Sequence, residues 1–183
     1  MNEEVQALLA MAEKAGFSHV GPCDPKTLKS LPAVREMCAA DKCGFYDKCW
    51  TCPPACGTIE DCEARMRQYD LGVLVQTTAE MEDPMDFEAM MDAANDQGEH
   101  CRALMEDVRA EYDDALCLFH GACNICSKCA YPDEPCRFPE KAVAAMEGYG
   151  LMVSDVCQDN GLAYYYGPNT VTYTGLFLVK ARS

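Results

Sequence analysis

Apolar residues along the chain follow two patterns, a helical repeat in some stretches and short unbroken runs in others. Near the N-terminus, Val5, Leu8 and Ala12 fall on one face of a helix predicted over residues 2–14. The runs LGVLVQT and ALCLF predict buried strands over residues 71–77 and 115–119. The same patterns predict further strands over 17–21, 162–166 and 170–179, and further helices over 33–39, 58–69, 85–113, 139–147 and 154–160.

Turn and cap signals complete this outline and indicate the fold class. Thr58 begins Thr-Ile-Glu-Asp, which is typical of a helix start, and Gly98 is expected to interrupt the longest helix. Gly-Pro-Asn between the last two strands predicts a hairpin. Strands that alternate with helices predict an α/β or α+β sandwich with helices packed on one sheet, and the hairpin makes that sheet mixed. No linker or repeat divides the chain, so residues 1–183 are expected to form a single domain.

The charge of the chain narrows the choice of partners. It has 30 acidic and 15 basic residues, a formal net charge of −15. Nucleic acid and anionic membrane surfaces bind basic patches, so neither is expected as a partner. No apolar run approaches the roughly 20 residues needed to cross a bilayer, and the N-terminus lacks the basic region of a secretory signal. The expected location is the cytoplasm, without membrane insertion.

Cysteine is the most unusual feature of the composition, with 14 among 183 residues. Thiols stay reduced in the cytoplasm, so this number indicates metal ligands and not disulfides. Most of the cysteines lie in two segments without periodicity, residues 38–62 and residues 121–138, hereafter the first and second cysteine loops. Each loop follows a structured element and precedes a predicted helix. If both lie at one end of the sheet, the metals they hold would be neighbours.

The second cysteine loop contains the more specific pattern, CNICSKCAYPDEPCRFP. Cys123, Cys126 and Cys129 are spaced C-x2-C-x2-C, close to the iron–sulfur motif of bacterial ferredoxins, although six residues separate Cys129 from Cys136 instead of three. Three thiolates at this spacing suit a cubane, whereas zinc more often uses two separated C-x2-C pairs, so the pattern favours a [4Fe–4S] cluster. Cys136 is the nearest fourth ligand, although the corresponding cysteine of two-cluster ferredoxins serves the other cluster.

The first cysteine loop offers six thiols, more than the four ligand positions of one cubane or one zinc ion. Its spacing is irregular, so the sequence predicts a second metal without selecting ligands among Cys38, Cys43, Cys49, Cys52, Cys56 and Cys62. The cysteines outside the loops are expected to be small buried side chains: Cys23, Cys101, Cys117 and Cys157. His120, beside the second loop, is expected to be packed at a strand end and not to bind metal.

Four segments resemble an uncharacterised family of cysteine-rich proteins of bacteria and archaea, described as predicted metal-binding proteins. They are VREMCAADKCGFYDKCWTCPPACGTIEDC, LGVLVQT, GACNICSKCAYPDEPCRFPEKAVAAMEGYGLMVSDVC and YYYGPNTVTYTGLFLV, within residues 34–179. The resemblance implies metal binding, with iron–sulfur as the expected form, and it implies no substrate. The positions that match it are Cys38, Cys43, Cys52, Cys56, Cys123, Cys126, Cys129 and Cys136. Cys62 also fits, whereas Cys49 falls where the family varies and is left out.

Three functions remain open from the sequence. The favoured one is a carrier of two [4Fe–4S] clusters that exchanges single electrons with a redox partner protein, whose docking face would be basic. The second is a structural or interaction module with two four-cysteine zinc sites. The third is an enzyme in which one cluster binds substrate at an open iron position. The surplus of thiols in the first loop argues against this third function, so an electron carrier or accessory protein is expected before a stand-alone enzyme.

Overall fold

The computed structural model describes residues 3–182, which adopt an α+β fold, as the sequence predicts. The helices are α1 (Glu3–Lys14), α2 (Pro32–Ala39), α3 (Ile59–Met66), α4 (Phe87–Glu111) and α5 (Val153–Asp159). The strands are β1 (His19–Cys23), β2 (Leu71–Glu80), β3 (Ala115–Leu118) and β4 (Thr170–Val179). Two short 3-10 helices lie at Pro25–Thr27 and Glu147–Tyr149.

The four strands form one sheet in the order β1-β2-β4-β3, and each of their pairings is antiparallel. At the centre, Val73 of β2 lies opposite Phe177 of β4, and Phe177 lies opposite Cys117 of β3. The prediction of a mixed sheet is therefore wrong. Although α4 connects β2 to β3, these two strands run on either side of β4 and never pair with each other, so this connection creates no parallel pair.

Alternate residues of the central strands point to two apolar cores, one on each face of the sheet. Val73 and Phe177 pack in the first core, with residues of α1 and α4. Leu74 and Leu178 pack in the second core, together with Met66 of α3 and other residues that flank the cysteine loops. Because both faces are buried, β2 and β4 contain continuous apolar runs, which is why their positions are predictable from the sequence.

The hairpin predicted for the end of the chain is wrong, because residues 162–166 do not form a strand. Both edges of β4 are already paired, with β2 and with β3, so no edge remains for another strand. Side chains hold this segment instead. The amide Nε2 of Gln76 donates a hydrogen bond of 2.9 Å to the Ala163 carbonyl, and the Tyr166 hydroxyl donates one of 2.7 Å to Gln76 Oε1.

The α-helix predicted over residues 139–147 is also wrong. The backbone N–H of Phe119 donates to the Ala144 carbonyl at 2.9 Å, and the N–H of Met146 donates to the Phe119 carbonyl at 3.0 Å. This pairing draws the segment alongside the end of β3, where the chain is extended. A non-local backbone pairing therefore overrides the helical propensity of Lys-Ala-Val-Ala-Ala.

The remaining predictions differ from the structure mainly in their boundaries. β1 begins two residues later than predicted, at His19, and α4 continues through Gly98 without interruption. The start of α3 is confirmed: the Thr58 hydroxyl accepts a hydrogen bond from the Asp61 N–H, and the Asp61 carboxylate accepts one from the Thr58 N–H. Among residues 3–182, each helix is too short or too polar to span a membrane.

Candidate metal centre

The first cysteine loop is anchored at both ends by helices. Cys38 lies in the last turn of α2, and Cys62 lies in the first turns of α3, whose start is fixed by the Thr58–Asp61 capping box. The loop packs on the 3-10 helix at Glu147–Tyr149. The thiol of Cys38 lies 3.8 Å from the Glu147 carbonyl oxygen, and the thiol of Cys56 lies 3.5 Å from the Gly148 carbonyl oxygen.

The second cysteine loop follows β3 and is closed by the backbone pairing of Phe119 with the segment at Ala144–Met146. Its four cysteines, Cys123, Cys126, Cys129 and Cys136, are all partly buried. The pairing brings the chain back beside its own starting point, so the four thiols belong to one closed loop. The 3-10 helix that supports the first cysteine loop follows directly after this closure.

The two loops contact each other through aromatic and polar side chains. Trp50 and Tyr131 pack edge to face, with their ring centroids 4.9 Å apart. The Trp50 indole N–H donates a hydrogen bond of 3.0 Å to the Glu134 carbonyl, and the Tyr131 hydroxyl donates one to the Asp47 carboxylate. The two cysteine loops are therefore in direct contact.

A cavity of about 210 Å³ lies between the loops. Its wall includes five cysteines: Cys49, Cys123, Cys126, Cys129 and Cys136. Four of them come from the second loop, whereas Cys49 comes from the first loop and is only 2% exposed. The negative charges of Cys49 and Cys136 each raise the pKa of Cys123, after the larger contribution of burial, so these thiols lie near one another.

Neighbouring thiols in the first loop form two hydrogen-bonded pairs. The Cys52 thiol donates to Cys49, which lowers the pKa of Cys49 and raises the pKa of Cys52. The Cys56 thiol likewise donates to Cys62, which lowers the pKa of Cys62 and raises that of Cys56. Since the thiolate is the form that binds metals, each pair shifts one of its two sulfurs toward the metal-binding form.

Arg35 of α2 places a positive charge beside the Cys56–Cys62 pair. Its Nη2 lies 3.5 Å from the Cys62 sulfur and also donates to the Gly57 carbonyl. Its Nε is buried and has no hydrogen-bond partner within residues 3–182. The guanidinium group thus fixes the turn between Cys56 and α3 and stabilises negative charge on both sulfurs.

The structure distributes the predicted ligands over two neighbouring groups. Cys123, Cys126, Cys129 and Cys136 surround one cavity, whereas Cys38, Cys43, Cys52 and Cys56 lie along the first loop, where Cys43 is exposed. Electrostatic interaction with both Cys43 and Cys56 contributes to raising the pKa of Cys52, so these three are close together. Cys38 interacts with Cys43 in the same way.

Cys49, which the resemblance leaves out of the expected ligands, also reaches the cavity of the second loop. It lies between the groups, because it is paired with Cys52 and lines the cavity of the second loop. Cys49 and Cys52 have the C-x2-C spacing of a metal-binding pair. That spacing is a signal that could have identified Cys49 from the sequence.

The cysteines outside the loops are buried, as expected: Cys23, Cys101, Cys117 and Cys157. Burial raises the pKa of Cys23 and of Cys117 to about 12, so both remain neutral thiols at physiological pH. Cys101 and Cys117 belong to the apolar core on the α1 and α4 side of the sheet. His120 packs its ring on Tyr173, with centroids 4.8 Å apart, in agreement with the expected packing role.

The donor set fits a soft metal group held by thiolates. All fourteen cysteines, which lie within the described residues 3–182, are free thiols. Within the same residues, no three side chains of His, Cys, Asp or Glu are grouped so as to hold a single metal ion directly. The four thiols of the second loop line one cavity, which places soft donors around a common space.

The chain belongs to the DUF2284 family of predicted metal-binding proteins, whose model matches residues 22–179. Neither a curated protein nor a solved structure matches the chain. The match includes both cysteine loops and three of the four strands in full, so the metal-binding character that the cysteine spacing predicts is confirmed at the level of the family.

Proposed function

We propose that this protein binds two [4Fe–4S] clusters, one in each cysteine loop, and exchanges single electrons with a partner protein. When bound, such clusters take up and release one electron at a time. The observation that carries the proposal is the cavity of about 210 Å³ between the loops, with five cysteines in its wall. Soft thiolates select iron–sulfur clusters, zinc or copper(I), so the chemistry of the wall limits the choice to these groups.

The spacing of the thiols supports a cluster over a single ion. One zinc ion draws its four sulfurs to about 2.3 Å from a common centre, whereas four iron atoms lie between the sulfurs around a cubane. The C-x2-C-x2-C spacing of Cys123, Cys126 and Cys129 suits a cubane, whereas zinc more often uses two separated C-x2-C pairs.

The proposed ligands follow the two loops. Cys123, Cys126, Cys129 and Cys136 would hold one cluster, and Cys38, Cys43, Cys52 and Cys56 would hold the other. Two further cysteines lie beside these sets: Cys49 at the second-loop cavity, and Cys62 next to Cys56. Each is an alternative ligand for the site that it adjoins.

The neighbouring position of the loops supports electron transfer. Cys49 interacts with Cys52 of the first loop and with Cys123 of the second loop. The two groups of thiols are therefore adjacent. A reduced partner would give one electron to the protein, and an oxidised partner would receive it. The net charge of −15 supports docking to a basic face on these partners.

A structural zinc module is the second candidate, and one specific observation favours it. Cys49 and Cys52 form one C-x2-C pair, Cys123 and Cys126 form another, and Cys49 lies near Cys123. Two such pairs from separate loops are a common arrangement in zinc sites. Zinc there would join the two loops and would have no redox activity.

Purification without oxygen distinguishes the two candidates. The protein is purified in an anaerobic chamber, its visible spectrum is recorded, and iron, acid-labile sulfide and zinc are measured per chain. A brown protein with about eight iron and eight sulfide, bleached by dithionite, supports the two-cluster carrier. A colourless protein with one or two zinc ions, unchanged by iron–sulfur reconstitution, supports the zinc module and overturns the carrier.

A further inference from the structure

A second, smaller cavity of about 110 Å³ lies between α4 and the second cysteine loop. Arg102 and Asn95 of α4 line one side of it, and Lys141 and Asn124 line another. Cys123 lines this cavity and also the larger cavity between the loops. The smaller cavity therefore lies directly beside a proposed cluster ligand but has a more polar lining than the larger cavity.

The charge of the smaller cavity is opposite to that of the chain. The protein has twice as many acidic as basic residues, yet no Asp or Glu is among the described residues that line this cavity. The side chains of Arg102 and Lys141 make no ion pair and no hydrogen bond with another side chain or backbone group within residues 3–182. Two cations that face one space without acidic partners create a local positive potential.

A histidine completes the lining. His120 lies at the smaller cavity, and its Nδ1 is buried without a hydrogen-bond partner among the described residues. A buried polar atom without a partner costs stability unless a ligand or water satisfies it. Arginine and lysine beside two amides provide the donors that an oxyanion requires.

We propose that this cavity binds a small oxyanion, either the carboxylate of a small organic acid or inorganic phosphate. Arg102 and Lys141 would pair with its negative oxygens, and Asn95 and Asn124 would add amide hydrogen bonds. The volume limits the ligand to a molecule of a few non-hydrogen atoms. The site rests on the proposed function only in one respect: its contact with Cys123 would place the anion beside the second cluster and make its redox properties sensitive to the anion.

The alternative role for these cations is to offset the negative charge of thiolates in the second loop. That role requires no ligand and predicts that added anions do not bind. The two roles therefore differ in a binding measurement. Loss of metal from a damaged loop would not distinguish the two roles, because both predict it.

Isothermal titration of the anaerobically purified protein, in a chloride buffer, tests the site with two probes, inorganic phosphate and acetate. Saturable binding of either probe with one site per chain is expected. Arg102→Gln and Lys141→Gln are each expected to weaken the binding about tenfold, the loss expected for one charge-assisted hydrogen bond. Arg67→Gln is the matched control, because Arg67 is an exposed arginine of the α3 C-terminus paired with Glu63. The stronger probe identifies the source of the oxyanion.

The imidazole signals of the protein provide an independent readout. The chain has three histidines, and His120 alone lines the cavity. In ¹H–¹⁵N spectra of protein labelled on histidine, the bound probe is expected to shift the His120 ring signals and to leave those of His19 and His100 in place. No saturable binding, or equal binding to Arg102→Gln, Lys141→Gln and Arg67→Gln, overturns the site.

The metal content separates this inference from the proposed function. If the protein contains zinc and no iron, and the probe still binds with the expected dependence on Arg102 and Lys141, the carrier is overturned and the oxyanion site is supported. If the protein contains both clusters and neither probe binds, the oxyanion site alone is overturned. A shift of the reduction potential on addition of the probe supports both.

Discussion

The indole Nε1 of Trp50 donates a hydrogen bond of 3.0 Å to the backbone carbonyl of Glu134, and this bond joins the first cysteine loop to the second. The Trp50 ring also packs against Tyr131, two residues after the C-x2-C-x2-C motif. The Trp50 side chain therefore connects the two loops through a hydrogen bond and a ring contact. This contact brings Cys49, next to Trp50 in the chain, to the cavity of the second loop.

Trp50→Phe is expected to destabilise the protein by about 1 kcal/mol, the usual net value of a lost hydrogen bond, since the ring contact with Tyr131 remains. Trp50→Ala removes both contacts and is expected to cost more. The free energy of unfolding, measured by urea titration, tests the order of the two variants. If the loops jointly hold metal, Trp50→Ala also loses it faster to a chelator. Equal stability of both variants and the natural protein would contradict the role of the contact.

Cys49→Ala is expected to alter the metal site, although the resemblance to the family leaves Cys49 out. Its sulfur lines the cavity and pairs with Cys52, so its loss is expected to lower the iron content or change the visible spectrum of anaerobically purified protein. Cys101→Ala is the control, because Cys101 is also fully buried but lies in the core beneath α4. An unchanged metal content and spectrum in Cys49→Ala would show that Cys49 is only structural.

Arg35→Gln is expected to lower the reduction potential of the cluster proposed for the first loop. The Arg35 cation lies beside Cys56 and Cys62, and a positive charge there favours the reduced, more negative state. The variant also removes a donor to the Gly57 carbonyl, with an expected loss of about 1 kcal/mol in stability.

An anaerobic redox titration checks this expectation, with Arg67→Gln as the control that removes a charge from the neighbouring helix C-terminus. Arg35→Lys keeps the charge and is expected to restore most of the potential but not the full stability, because lysine lacks the planar set of donors. A potential that stays the same in Arg35→Gln, with both cysteines still in place, would exclude an electrostatic role for Arg35.

Asp114 is expected to make the stability depend on pH. Hydrogen bonds from Lys180, from Tyr69 and from Arg65 hold the pKa of Asp114 below its usual value. The unfolded chain therefore binds a proton at Asp114 more readily than the folded protein does. The stabilisation is complete above the unfolded pKa of about 3.9 and is lost as the pH falls through the lower folded pKa.

Asp114→Asn is accordingly expected to lower the free energy of unfolding near pH 7 by about 1 kcal/mol, and the difference from the natural protein should narrow as the pH falls below about 4. Urea titrations of both chains at each pH test this. Asp113→Asn is the control, because Asp113 is exposed and has no ion pair within residues 3–182. A difference that does not change with pH would contradict the assignment.

Much of the secondary structure is predictable from local sequence, for reasons visible in the fold. β2 and β4 are buried on both faces, so their residues form continuous apolar runs. The capping box at Thr58 is satisfied within four residues of chain, so it needs no tertiary contact. The spacing of Cys123, Cys126 and Cys129 is also local, since one turning loop can present all three thiols to one centre.

The secondary-structure predictions that are wrong concern segments whose expected pairing is replaced by contacts with distant parts of the chain. Residues 162–166 have the composition of a strand, but β2 and β3 already occupy both edges of β4. Residues 142–146 have helical propensity, but the backbone of Phe119 pairs with Ala144 and Met146. Neither competitor can be identified from a local window, because each depends on which strands meet in the sheet.

The sequence by itself determined the helices and strands with strong periodicity, the acidic charge and the cysteine spacing that indicates metal binding. The tertiary structure alone decided the strand order and the contact between the loops. It also decided that Cys49 lines the larger cavity and that Arg102 and Lys141 line the same smaller cavity. Periodicity records which face of an element is buried, a local property. The proximity of Cys49 to Cys123, or of α4 to the second loop, results from long-range packing that no local pattern encodes.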